Sequence, residues 1–184
     1  ALEGKKCLLV DLDPQGNATS GMGIEKNKIQ KSVYHALLED TPLSEIVLET
    51  CVPNLLIIPS NENLSGTEVE LVSELGREGK LKKSLSALDA SYDFVIIDCP
   101  PSFGLLTINA LTGSNSVMIP IQCEYYALEG WGQLMKTINL IKDNLNSTLE
   151  IEGILMTMAD FRTNLTQEVI NEVKKHFGDK VYNT

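Results

Sequence analysis

The chain has 184 residues, 15 basic and 25 acidic, giving a net charge of −10, and 43% of its residues are hydrophobic. That aliphatic share supports a sizeable core and excludes disordered, collagen-like and coiled-coil chains. The acidic balance opposes a protein that coats itself in nucleic acid by charge alone. No stretch approaches the roughly 20 apolar residues that a bilayer span requires. With no signal-peptide segment in Ala1–Lys6, the expected compartment is the cytoplasm.

In chain order, Cys7–Val10 reads as a buried strand followed by a Pro/Gly/Asn loop through Asp13, Pro14, Gly16 and Asn17. Leu55–Ile58 is a second strand, stopped by Pro59. A helical period runs from Leu64 through Leu75 towards Leu88, broken near Gly76 and Gly79. Phe94–Ile97 is a third strand, followed by a helical period from Leu105 to Leu111. Ser116–Ile119 is a fourth strand, stopped by Pro120. The clearest amphipathic helix places Leu128, Trp131, Leu134, Met135, Ile138 and Ile141 on one core-facing stripe. Ile154–Met156 is a fifth strand. A last helix lines up Leu165, Val169, Ile170, Val173 and Phe177 behind Thr163 or Asn164 as N-cap, and Val181–Tyr182 begins a sixth strand. Strands this continuously apolar belong to a parallel sheet covered on both faces. The expectation is one doubly wound α/β domain over residues 1–184, mostly parallel, with helices on both faces and both ends cut.

Cys7, Cys51, Cys99 and Cys123 lie far apart and read as small reduced core residues, and neither His35 nor His176 has a second ligand at zinc spacing. In an open parallel sheet the reactive groups sit at the carboxyl ends of strands. Two strands end in carboxylates, at Asp11-Leu12-Asp13 and at Asp98. Such oxygens suit a Mg²⁺ ion that keeps several of its waters, and a carboxylate beside a γ-phosphate can orient an attacking water. Alternation of faces sends Asp11 and Asp13 the same way. Gly16, Gly21 and Gly23 match no phosphate-loop spacing, and Lys80 lacks the following Ser/Thr and the preceding strand of a Walker A.

The run from Leu8 to Gly21 resembles the second nucleotide-site motif of the ParA/Soj family of partition ATPases, relatives of MinD with a deviant Walker A. Val95–Ser102 resembles the family's Walker B strand and switch, and Gln122–Gly130 and Thr157–Asn164 resemble later segments in the same order. The resemblance implies a P-loop NTPase-like fold of the SIMIBI type, with ATP and Mg²⁺ as ligands. It implies that Asp13 positions the hydrolytic water, that Asp98 holds Mg²⁺ through water and that Asp11 supports the magnesium region. Met158 and Asp160 fall near the adenine, and Arg162 matches a residue implicated in DNA binding. Lys174, Lys175, His176 and Lys180 extend that basic patch. A ParB-like partner, non-specific DNA bound by an ATP-bridged homodimer, nucleoid association and no membrane insertion follow from the same resemblance. The family's Lys-Gly-Gly-Val-Gly-Lys-Thr-Thr loop and the strand before it are absent from these residues, so the chain is expected not to bind ATP normally and either to leave a gap in its sheet or to fill it by a rearranged or oligomeric packing. A non-catalytic remnant of the fold is the alternative; a haloacid-dehalogenase-like phosphatase built on Asp11-Leu12-Asp13 is opposed by Pro14-Gln15 and by the lack of a late Asp-Asp pair.

Overall fold

The computed structural model describes residues 1–88, 92–124 and 127–182, the side chains of residues 127–131 excepted. The chain forms two compact units, Ala1–Gly113 and Ser114–Thr184. Among the described residues no helix is long and apolar enough to cross a membrane.

The first unit is built on a four-stranded sheet. Strands β1 (Cys7–Asp11), β3 (Leu55–Ile58) and β4 (Phe94–Asp98) are parallel, and the short β2 (Leu48–Glu49) adds antiparallel to β3. The order β2-β3-β1-β4 puts β1 in the interior. Leu8 and Val10 there are fully buried, and they join Leu12, Val33, Leu37, Ile58, Leu64, Leu81 and Leu106 in one core.

β4 departs from expectation. Its apolar run suggests a strand covered on both faces, yet Phe94, Val95 and Ile96 are 56%, 43% and 55% exposed. The reason is position: β4 pairs only with β1, so its other edge lies open among the described residues.

The helices of this unit are short: α1 (Asn17–Gly21), α2 (Val33–Leu38), α3 (Thr67–Leu71), α4 (Lys80–Ser86) and α5 (Leu105–Gly113). The period expected from Leu64 towards Leu88 is interrupted at Gly76, whose φ of 65° breaks it into α3 and α4. Helix α2 goes unread in the sequence although its signal is there. Ser32 and His35 form a reciprocal capping box, and Val33, Ala36 and Leu37 supply the buried face. Of the cysteines, Cys7 and Cys123 are buried and Cys99 half-buried, but Cys51 is exposed. It sits in a bend rather than an apolar run, which corrects its assignment to the core.

The second unit holds a parallel pair, β5 (Ser116–Gln122) and β6 (Glu150–Thr157), and helices α6 (Ala127–Asn144) and α7 (Asn164–Phe177). β5 runs through Pro120 rather than stopping there. Among the described residues it hydrogen-bonds one neighbouring strand, so a residue without an N–H is tolerated. On α6, Ile138 and Ile141 are buried as the stripe requires; the Leu128 and Trp131 side chains lie outside the described residues. Thr163 caps α7 by accepting from Thr166 N at 3.4 Å. Leu165 is 38% exposed and Thr166 takes the buried place beside Val169 and Val173. The sixth strand reduces to a single parallel bridge between Ile154 and Val181.

Candidate functional site

The carboxyl ends of β1 and β4 lie side by side. Asp11 and Asp98 are register partners, and Leu12 N donates to the Asp98 carbonyl at 2.7 Å. Asp13 follows where the chain turns away from the sheet. Burial, then the charges of Asp11 and Asp13, hold the Asp98 carboxyl above its ordinary range. The segment bearing Asp13 thus leaves the sheet next to the end of β4 that carries Asp98.

The two acids of the Asp11-Leu12-Asp13 run do not present themselves alike. The strand ends at Asp11, which is 0% exposed, while Asp13 is half-buried. Asp11 Oδ2 accepts from Thr19 N at 2.7 Å and from Thr19 Oγ1 at 2.6 Å, and its Oδ1 accepts from Asp13 N at 3.2 Å. Leu12 and Asp13 lie beyond the end of β1, where strand alternation no longer applies. Asp13 Oδ1 accepts from Gln15 N at 2.9 Å, and among the described residues its Oδ2 accepts no hydrogen bond.

The turn itself depends on Gly16. Its φ is 60°, its N–H donates to the Asp13 carbonyl at 2.9 Å, and an added Cβ would lie 3.1 Å from the Ser60 carbonyl and 2.7 Å from Lys26 Cδ. Gly16 is thus a turn residue. Gly16→Ala is expected to destabilise the first unit by about 1–3 kcal/mol, read as a lower urea midpoint at unchanged slope.

Beyond β4 the chain is pinned at several points. Thr107 Oγ1 donates to the Pro100 carbonyl at 3.3 Å, and Ser102 N donates to the same oxygen at 2.8 Å. Leu106 N donates to Glu68 Oε1 at 3.4 Å, and an added Cβ at Gly104 would run into the Glu68 carboxylate. Burial pushes the Cys99 thiol up, and the charges of Asp98 and Asp13 add to it. Thr19, Ser60 and Glu68 escape sequence reading because each acts on a segment remote in the chain. The tempting Lys80 is ion-paired to Glu74 at 2.9 Å.

The remaining candidates lie in the second unit. Met158 has a φ of 52° and is 76% exposed. Asp160 and Arg162 are bound to each other: Nε donates to Oδ1 at 2.8 Å and the terminal guanidinium nitrogen to Oδ2 at 2.7 Å. The pair holds the Asp160 carboxyl below its ordinary range and raises the Arg162 guanidinium. Lys174 and Lys175 sit in the last turn of α7, where they complement the helix dipole, and Lys175 lies 3.8 Å from Glu172. Arg162 precedes the first turn of the same helix, and about 15 Å of helix lies between Asn164 and Lys174. The basic residues thus stand at the two ends of α7.

A family model described as an AAA domain matches residues 1–151. The sporulation initiation inhibitor protein Soj of Bacillus subtilis is 58% identical over 98% of this chain and 72% of its own length. The chromosome partitioning protein ParA of Myxococcus xanthus is 51% identical over 97% of this chain and 63% of its own length. Among solved structures, a cobyrinic acid a,c-diamide synthase from Mycobacterium smegmatis with a bound ATP analog and magnesium matches with a TM-score of 0.90. It is 40% identical, over 96% of this chain and 72% of that one. The chain thus spans between 63% and 72% of the length of these relatives. An identity above one half across nearly every residue, on a sheet whose neighbouring parallel strands end in aspartates, means that the chain belongs to the ParA/Soj family of chromosome-partitioning ATPases.

Proposed function

We propose that the full-length protein is an ATP-driven partition switch in which Asp98 and Asp13 serve one Mg²⁺–triphosphate site. Asp13 orients the hydrolytic water, and the ATP-bound homodimer holds DNA non-specifically. A ParB-like partner then stimulates hydrolysis and resets the protein on the nucleoid. The observation that carries this reading is the register pairing of Asp11 with Asp98, which sets the ends of two parallel strands, and with them the segment bearing Asp13, side by side. Carboxylates crowded at the rim of a core lack the positive charge that Mg²⁺ would bring. Their hard oxygens fit that ion.

Among the described residues no three His, Cys, Asp or Glu groups converge closely enough to hold a metal by themselves. Asp98 would therefore hold the ion through water, with phosphate oxygens completing its shell. When bound, Mg²⁺ neutralises charge on the phosphates during transfer. No Gly-x-x-x-x-Gly-Lys-Ser/Thr run occurs in the 184 residues. In this proposal the phosphate-cradling loop and its strand come from the rest of the full-length protein, beside the open edge of β4.

Adenine contacts by Met158 and Asp160 belong to the same proposal, as does DNA contact by Arg162, Lys174 and Lys175. Arg162 is tied to Asp160 and Lys175 lies near Glu172, so one protomer offers little net positive charge. Binding must then come from the avidity of a nucleotide-bridged dimer. In the full-length protein, DNA retention is expected to require ATP and to fall steeply between about 50 and 200 mM salt. Salt-titrated filter binding with and without ATP tests this, and retention of the nucleotide-free monomer at about 200 mM salt overturns it. The name of the Mycobacterium smegmatis relative favours a second reading, an ATP-dependent amide-forming enzyme. Turnover of ATP that requires an amino-group donor would select it.

A further inference from the structure

We propose that Asp11, Thr19 and Ser60 form a buried relay that positions Asp13, and that Asp11 acts through this relay rather than by touching nucleotide or magnesium. The proposal deepens the ATPase reading and rests on it for its kinetic consequence.

The relay closes bond by bond. Asp11, Thr19 and Ser60 are all 0% exposed. The single hydroxyl proton of Thr19 goes to Asp11 Oδ2 at 2.6 Å, which leaves Thr19 Oγ1 free to accept Ser60 N at 2.9 Å. Ser60 Oγ in turn donates to the Asp13 carbonyl at 2.7 Å. Asp11 Oδ1 meanwhile accepts from Asp13 N at 3.2 Å. The peptide groups on both sides of the Asp13 Cα are therefore held, one by Asp11 and the other by Ser60. These grips come from three separate segments: the end of β1, the first helix and the residue two beyond β3.

The bonds to the Asp11 carboxylate are charge-assisted and shielded from water, so they are stronger and more directional than bonds between neutral groups. A carboxylate that orients a water works only from the right place; a misplacement of about 1 Å is worth about 100-fold in rate. Asp11 has no exposed surface, and its oxygens are engaged with Thr19 and the Asp13 backbone. Its charge is used to hold the turn from which the half-buried Asp13 side chain emerges.

Two measurements on the full-length protein test the relay. Amide hydrogen exchange reads it without reference to ATP. Protection at Asp13 and Ser60 is expected to fall in Thr19→Val, which removes the hydroxyl, and to persist in Thr19→Ser, which keeps it. Steady-state kinetics read its consequence. Thr19→Val and Ser60→Ala are expected to lower kcat by about 10- to 100-fold with the KM for ATP within about 2-fold, and Thr19→Ser to restore kcat. Ser60→Ala keeps the test open if Thr19→Val does not fold. Unchanged exchange in both hydroxyl-less variants overturns the relay. So does lost exchange with undiminished kcat, which would make the bonds purely structural. An Asp11→Asn protein whose only defect is cured by excess Mg²⁺ overturns it as well, because Asp11 would then be an ion-holding group. A wild-type protein with no ATP turnover defeats the ATPase reading, and the exchange experiment then still decides whether the relay exists.

Discussion

Asp13→Ala in the full-length protein is expected to leave ATP binding within about 2-fold of wild type while hydrolysis falls by about 100-fold or more. The expectation follows from where the side chain stands. Gln15 N orients its Oδ1, and among the described residues its Oδ2 accepts no hydrogen bond, which leaves that oxygen for a water. The half-buried carboxylate sits beside Asp98 rather than inside the core, so its removal empties a functional position without opening a packing defect. Binding by fluorescent-nucleotide titration and turnover by phosphate release separate the two effects. Unchanged turnover would remove Asp13 from its role. A parallel loss of binding would make it a ligand-holding group instead.

Asp98→Asn is expected to act in opposite directions on stability and on metal use. Burial and the charges of Asp11 and Asp13 raise its carboxyl pKa in the folded chain. Such a group binds its proton more tightly when folded than when unfolded. The stabilisation this provides is complete below the unfolded value of about 4 and is lost as pH rises through the folded value. At neutral pH the ionised Asp98 is therefore a net burden on the metal-free protein. Asparagine relieves it, and because Asp98 is only partly desolvated and is screened by solvent the gain stays below about 1 kcal/mol. That gain is expected to shrink to nothing as pH falls below about 4, which denaturant titrations at several pH values will show. In the full-length protein the same substitution is expected to weaken Mg²⁺-dependent ATP binding by about 10- to 100-fold. An Asp98→Asn protein that is less stable at neutral pH and binds Mg²⁺–ATP normally contradicts both halves.

The chemistry-bearing strand ends were legible because they are local. Asp11 and Asp98 each follow an uninterrupted apolar run, Asp13 stands two residues beyond the first, and a run of that kind ends at the carboxyl end of a strand wherever the rest of the chain goes. The parallel pairing of Cys7–Val10 with Leu55–Ile58 and Phe94–Ile97 follows from the same alternation of apolar runs with helical periods. Helix α2 was open to reading through Ser32, His35 and the spacing of Val33, Ala36 and Leu37, but its six residues are too few for periodicity to stand out. Pro120 misled because a proline ends a central strand, whereas β5 has one hydrogen-bonded neighbour and tolerates it.

By itself, then, the sequence determined the α/β class, the family and the acidic strand ends, since these depend on residue types at short spacings. The tertiary structure alone decided which of those acids is buried and which keeps exposed surface. Asp11 and Asp13 are two residues apart and of one chemical type, yet Thr19 and Ser60, the latter 47 residues beyond Asp13, draw the first into a dry network and hold the second at its rim. It also decided that β4 pairs on one side only among the described residues and that Arg162 is ion-paired to Asp160. Hydrogen bonds and desolvation are set by what surrounds a group in space, and no spacing along the chain encodes that.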